Sequence, residues 1–182
     1  MSFKYKSNNP HGIYFITTTI IDWVDLFTRP DYKTIITDSL NFCISNKGLK
    51  VYAWVLMSNH IHIIAAGNEK NTIADVIRDF KKFTSKKLFD SIQSENESRR
   101  QWLYKKFLFA GKVDSKNTMI KIWQDGYHPI ELDTNFLLEQ KLDYIHDNPV
   151  KQEIVLLPEH YLHSSAKDYC GEKGLVNIIL LQ

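Results

Sequence analysis

Apolar positions along the chain recur at two periods, and the changes from one to the other mark out its elements. Residues 13–21 are rich in β-branched and aromatic side chains and predict a first strand. Arg29-Pro30-Asp31 then opens a helix, carried by Ile35, Ile36, Leu40, Phe42, Cys43 and Ile44 to a stop at Asn46-Lys47-Gly48. Residues 51–56 and 60–66 read as two strands of a hairpin that turns through Met57-Ser58-Asn59. Thr72 caps a second helix to about Leu88, with Ile73, Val76, Ile77, Phe80, Phe83 and Leu88 at helical spacing.

The pattern breaks over residues 91–117, which read as a polar, solvated insertion around a short helix near Trp102 to Phe109. Short strand-like pieces follow at 120–123 and 127–131, with Asp125-Gly126 between them as a hairpin turn signal. Asp133 or Thr134 caps a last helix to about Asp147, where Asn148-Pro149 should end it because proline disfavours helix at the residue before it. Residues 151–182 form a C-terminal extension without a clear pattern. The order β-α-β-β-α-β-(β)-α predicts one α+β domain over 1–182. Its expected architecture is a ferredoxin-like or RRM-like antiparallel sheet with helices packed on one face and the other face open.

Composition narrows the function classes only a little. At 182 residues the chain is long enough for one domain with a sizeable core. A formal net charge of +2 is too small to argue for nucleic acid, so any such case rests on where the charges lie. The two cysteines, Cys43 and Cys170, make neither a disulfide framework nor a zinc spacing. The N-terminus lacks the apolar core of a signal peptide, and no apolar run is long enough to span a bilayer. A cytoplasmic protein with no membrane association is the expectation.

Chemistry concentrates in two strings. In Met57-Ser58-Asn59-His60-Ile61-His62, strand alternation puts His60 and His62 on one face with Cα atoms about 6.5–7 Å apart, while Ile61 points the other way. Two such imidazoles can share a divalent metal. They are too few for a structural zinc site, which argues for an open coordination sphere. The bland reading is a half-exposed strand that carries two histidines. The second string is Asp143-Tyr144-Ile145-His146-Asp147-Asn148-Pro149-Val150. Tyr144 and Asn148 share a helix face, so a tyrosine nucleophile and an amide-oxygen donor would lie one turn apart. Here the bland readings are a packing tyrosine and an Asn-Pro helix stop. On the second helix, Arg78, Lys82 and Lys86 fall at i, i+4, i+8, flanked by Lys81 and Lys87, and form a basic stripe. That stripe is either a DNA-binding surface or a solvated lysine face. Lys112, Lys116 and Lys121 would extend it; His128 is a further candidate for the site lining, and His11, His160, His163 and His146 carry no such argument.

These strings carry a family resemblance. His60-Ile61-His62 matches the HUH signature, and Tyr144-Ile145-His146-Asp147-Asn148-Pro149-Val150-Lys151 resembles the tyrosine-helix motif of the REP-associated tyrosine transposases. These are relatives of the single-strand transposases of small insertion sequences. The likeness also takes in Trp54-Val55-Leu56-Met57-Ser58-Asn59, Arg78-Asp79-Phe80-Lys81-Lys82-Phe83-Thr84, Trp123-Gln124-Asp125 and Ser164-Ser165-Ala166. It implies that Tyr144 attacks a phosphodiester of single-stranded DNA to give a 5′-phosphotyrosine and a free 3′-hydroxyl. It implies that His60 and His62 hold Mg²⁺ or Mn²⁺, with Asn148 as the third ligand where relatives use glutamine. It implies that the region of Arg78, Lys81, Lys82 and Lys86 holds DNA, with hairpin-forming repeats as the partner. A homodimer is compatible with it, since relatives can donate the tyrosine helix between subunits. Two other classes stay open: a non-catalytic nucleic-acid-binding module of the same fold, and a metal-dependent hydrolase that uses metal-bound water.

Overall fold

The computed structural model describes residues 9, 11–93, 97–114 and 119–181. Its centre is a four-stranded antiparallel sheet in the order β2-β3-β1-β4, built from β1 (Tyr14–Thr19), β2 (Lys50–Leu56), β3 (His60–Ala66) and β4 (Ile130–Glu131). Helix α1 (Pro30–Lys47) connects β1 to β2, and α2 (Ile73–Ile92) follows β3, which gives the ferredoxin-like winding. Proline opens α1, and Gly48 closes it at φ 70°, a conformation that glycine adopts without a Cβ clash. Thr72 caps α2 by accepting from the Asp75 N–H.

Both faces of the sheet are covered. Tyr14, Ile16, Trp54, Leu56, Ile61, Ile63 and Ala65 meet α1 and α2 in the larger core. Phe15, Ala53, Val55, Met57 and Ile64 meet helix α4 (Asn135–Lys151) on the opposite face through Ile145, Leu138 and Leu142. The fold class is the α+β one that the pattern predicts, and α1 and α2 share one face as expected. The other face is not open, because Ile145 and its neighbours give the last helix an apolar stripe of its own.

Three local expectations differ from the structure. Helix α4 runs through Asn148 and Pro149 to Lys151, with both residues buried. Proline removes one hydrogen bond near the end of the helix, and burial against the sheet outweighs that loss. Residues 120–131 form no hairpin. The chain instead runs along β1, with Trp123 bridging Ile20, Tyr127 accepting from the Thr17 N–H and β4 pairing with Tyr14 and Phe15. The expected insertion holds the last turn of α2 and a thirteen-residue helix, α3 (Arg100–Lys112), whose Leu103, Phe107 and Gly111 form a buried stripe. It is therefore not simply solvated, although parts of it, including Lys116, lie outside the described residues.

The C-terminal segment covers the free edge of β2. Val55 bridges Ser164, the Leu56 N–H donates to the His163 carbonyl, and the Ile179 N–H donates to the Val51 carbonyl. An exposed strand edge is a template for unwanted pairing, and this segment occupies it. Within it lies a single-turn helix, α5 (Ala166–Tyr169). Cys43 is buried and Cys170 exposed, and both are free. Among the described residues no helix is long and apolar enough to cross a membrane.

Candidate active site

The site lies on the α4 side of the sheet. Alternation along β3 sends Ile61 into the α1–α2 core and leaves His60 and His62 facing α4, with ring centroids 4.6 Å apart and planes at 71°. Tyr144 approaches from α4, its hydroxyl 3.4 Å from Nε2 of His62 and its ring centroid 5.2 Å from that imidazole. The structure therefore brings His60, His62 and Tyr144 together, with Tyr144 39% exposed.

Each imidazole is held through Nδ1. Oδ1 of Asn59 lies 2.6 Å from His60 Nδ1, so this nitrogen carries the proton and donates, which leaves the Nε2 lone pair free. The Asn59 amide is itself oriented, because its Nδ2 donates to the Trp23 carbonyl (3.3 Å) and to Oδ1 of Asp25 (3.2 Å), which also accepts from Ser58 Oγ (2.6 Å). His62 Nδ1 sits 2.8 Å from Oγ1 of Thr17, its register partner on β1. When Nδ1 donates there, Nε2 is the atom that accepts from the Tyr144 hydroxyl. Burial, with His60 and Lys141 adding to it, pushes the His62 pKa down to about 3. Burial also lowers that of His60. Both rings are thus neutral at neutral pH, the state that metal ligation requires.

Aromatic packing frames the pair. Phe15 stacks on His62 at 5.2 Å and meets Tyr144 edge-on at 5.8 Å. Lys141, one turn before Tyr144, holds its ammonium 5.0 Å from the Phe15 ring and 5.6 Å from the Tyr144 ring, so a cation flanks the tyrosine. Asn148 is buried one turn beyond Tyr144, and its amide oxygen accepts from Gln152 Nε2 at 3.2 Å. His146 turns away and meets Ser165 Oγ at 2.9 Å, which ties α4 to the C-terminal segment. Among the described residues no three His, Cys, Asp or Glu side chains gather to hold a metal. A cation here would rest on two imidazoles and uncharged oxygen donors.

The basic stripe divides. Lys82 and Lys86 are exposed and line a groove of about 800 Å³ between α2 and residues 119–127. Arg78 borders it while paired with Asp75 (2.7 Å) and Asp79 (3.0 Å). Lys81 donates to the carbonyls of Gln124 and Gly126, both at 2.6 Å, and holds that turn against the helix. Lys121 pairs with Asp114 and Asp125 and does not add a free charge to the stripe. His128 sits in the irregular segment before β4 at φ 42°. Sequence reasoning missed Thr17, Asn59 and Lys141. Lys141 was findable as the residue three before Tyr144 on one helix face, and Asn59 as the neighbour of His60, whereas Thr17 depends on strand register.

Fold and site define an α+β protein that presents two histidines and a tyrosine on one face of an antiparallel sheet. The sequence matches the family described as "Transposase IS200 like" over residues 14–122, and the chain belongs to that family, so it is a transposase acting on DNA. The matched span includes His60 and His62 and ends before α4. A solved structure described as "Structure of the REP associates tyrosine transposase bound to a REP hairpin" is similar, with TM-score 0.58 at 18% identity over 100% of this chain and 94% of that one. The fold is therefore that of a REP-associated tyrosine transposase. A comparison with curated proteins finds no match.

Proposed function

We propose that this transposase cuts and rejoins single-stranded DNA through Tyr144, with hairpin-forming repeats as its substrate. The observation that carries the reading is the Tyr144 hydroxyl 3.4 Å from Nε2 of His62, beside His60 and open to solvent. The phenol oxygen of Tyr144 attacks the phosphorus, the bond from phosphorus to the 3′-oxygen breaks, and a 5′-phosphotyrosine forms. The phenol loses one proton and the departing 3′-oxygen gains one, so the step balances without a co-reactant. The phosphoester is conserved, and a second 3′-hydroxyl can reverse the step and release the tyrosine without ATP.

His60 and His62 fit a divalent cation, since both are neutral and both have Nδ1 occupied, which leaves Nε2 as the ligating atom on each, on His62 once the Tyr144 hydroxyl turns from it toward the phosphate. Asn148 would supply the third donor, its amide oxygen keeping a second lone pair beside the one that accepts from Gln152. Mg²⁺ or Mn²⁺ bound there would polarise the scissile phosphate, and imidazole ligands suit Mn²⁺ better. Phe15 fixes the plane of His62, and Lys141 offers its charge to a phosphate oxygen beside Tyr144. Lys82 and Lys86, with Arg78 beside them, hold the DNA backbone, and Lys81 shapes the groove by fixing the 124–126 turn. Tyr144 meets a histidine of its own chain, so one chain suffices for the first cut, and a homodimer would serve strand exchange. Acting on DNA, the protein works in the cytoplasm.

The test is covalent trapping. The protein is incubated with labelled single-stranded hairpin oligonucleotides and Mn²⁺, then run on a denaturing gel beside Tyr144→Phe and His60→Ala. A protein–DNA band that needs Tyr144, His60 and metal is the expected result. Metal-dependent cleavage with no covalent band would replace the reading with a water-activating hydrolase, and binding without cleavage with a non-catalytic module.

A further inference from the structure

Trp23 stands beside the site, and its ring is not used by the chemistry above. The chain leaves β1 through a 3-10 turn, Ile21–Trp23, in which Asp22 and Trp23 both take left-handed backbone at φ 50° and 54°. Two consecutive non-glycine residues in that region are strained, and such strain persists only where surrounding contacts hold it. Here the Trp23 N–H donates to the Ile20 carbonyl (3.1 Å), Lys106 pairs with Asp22 (2.6 Å), and the Trp23 carbonyl accepts from Asn59 Nδ2 (3.3 Å). The strain is not offset by burying the indole, because Trp23 is 62% exposed. What the turn achieves is placement. The indole stands 6.3 Å from the His60 ring, centroid to centroid, at 71°. The asparagine that orients His60 also anchors the backbone of this tryptophan.

We propose that Trp23 is a stacking platform for an unpaired nucleobase next to the scissile phosphate, an inference that rests on the single-strand reading above. Every base has a π face, so an exposed indole accepts any of them and holds the strand without reading its sequence. A base seated on Trp23 places its adjoining phosphate beside His60, whose neighbour His62 meets the Tyr144 hydroxyl. Positioning of this kind speeds a displacement by fixing the reacting atoms in line. The ligand class is therefore an unpaired nucleotide.

The experiment compares two probes of equal charge, a short oligothymidylate and an abasic oligomer of the same length, by fluorescence anisotropy without metal. Trp23→Ala should weaken oligothymidylate binding about 10-fold, the range of one base–aromatic stack, and leave the abasic oligomer unchanged. Trp23→Phe should recover most of the loss. Trp102→Ala, which removes another exposed indole, should change neither affinity. Equal losses on both probes, or no loss on either, would overturn the platform while leaving single-strand binding intact. If the unaltered protein binds neither probe, the single-strand reading fails and the platform falls with it.

Discussion

Oδ1 of Asn59 lies 2.6 Å from Nδ1 of His60, and the same amide reaches Asp25 at 3.2 Å, so a carboxylate orients an amide that orients an imidazole. Groups behind a metal ligand fix its tautomer and typically change affinity or activity by about 10–100-fold when removed. Asn59→Ala should therefore lower Mn²⁺ affinity and cleavage by about 10–100-fold. Asp25→Asn should do so more mildly. Adding Asn59→Ala to His60→Ala should cost no further Mn²⁺ affinity, because toward the metal the residue acts through that ring. Calorimetric Mn²⁺ titration of these variants beside the unaltered protein checks this, and additive losses would show that Asn59 acts elsewhere.

Ile145 is fully buried where α4 meets Phe15, Val55, Met57 and Ile64. Its neighbour Tyr144 depends on that docking for its place beside His62. Ile145→Ala should destabilise the protein by about 2–4 kcal/mol in urea unfolding. Phe136→Ala, on the same helix but 70% exposed, should stay within about 0.5 kcal/mol. Under conditions where both variants stay folded, the Ile145 variant should also lose adduct formation that the Phe136 variant keeps.

These contrasts show where sequence reasoning reached the structure and where it stopped. Local devices were readable: the αL glycine after α1, the Thr72 cap of α2 and the alternation that puts His60 and His62 on one face. Tyr144 could be singled out because it lies one turn from Asn148 within a continuous string. Long-range pairing was hidden. The Thr17 bond to His62 follows from strand register, and the Lys81 bonds to Gln124 and Gly126 span 43 and 45 residues. The proline rule failed at Asn148 because tertiary burial of that turn outweighs a local preference. Asp125-Gly126 resembled a hairpin turn, yet β1 offered both flanking pieces a partner.

His163 supplies a pH dependence of stability away from the candidate ligands. Burial, with the Lys33 charge adding to it, pushes its pKa down to about 4, against an ordinary value near 6.5. The unfolded chain therefore binds the proton first as pH falls. The stability that a neutral His163 contributes is fully present above about pH 6.5 and is lost progressively toward pH 4. The segment that would loosen is the one covering the β2 edge, since the His163 carbonyl accepts from Leu56. His163→Gln should flatten the fall in melting temperature between pH 7 and about 4.5. An unchanged slope would assign the acid sensitivity to another group.

Lys81 and Lys82 are neighbours with opposite expectations. Lys81 gives its ammonium to the Gln124 and Gly126 carbonyls, whereas Lys82 is exposed along the groove. Lys81→Gln should lower unfolding free energy by about 1.5–3 kcal/mol, the range for hydrogen bonds to a charged group. Lys82→Gln should leave stability within about 0.5 kcal/mol but weaken oligonucleotide binding and reduce the salt slope by roughly one counterion. Lys86→Gln should behave like Lys82→Gln. Melting curves and binding isotherms at several salt concentrations separate the two roles. A Lys82→Gln salt slope equal to that of the unaltered protein would remove α2 from the DNA path.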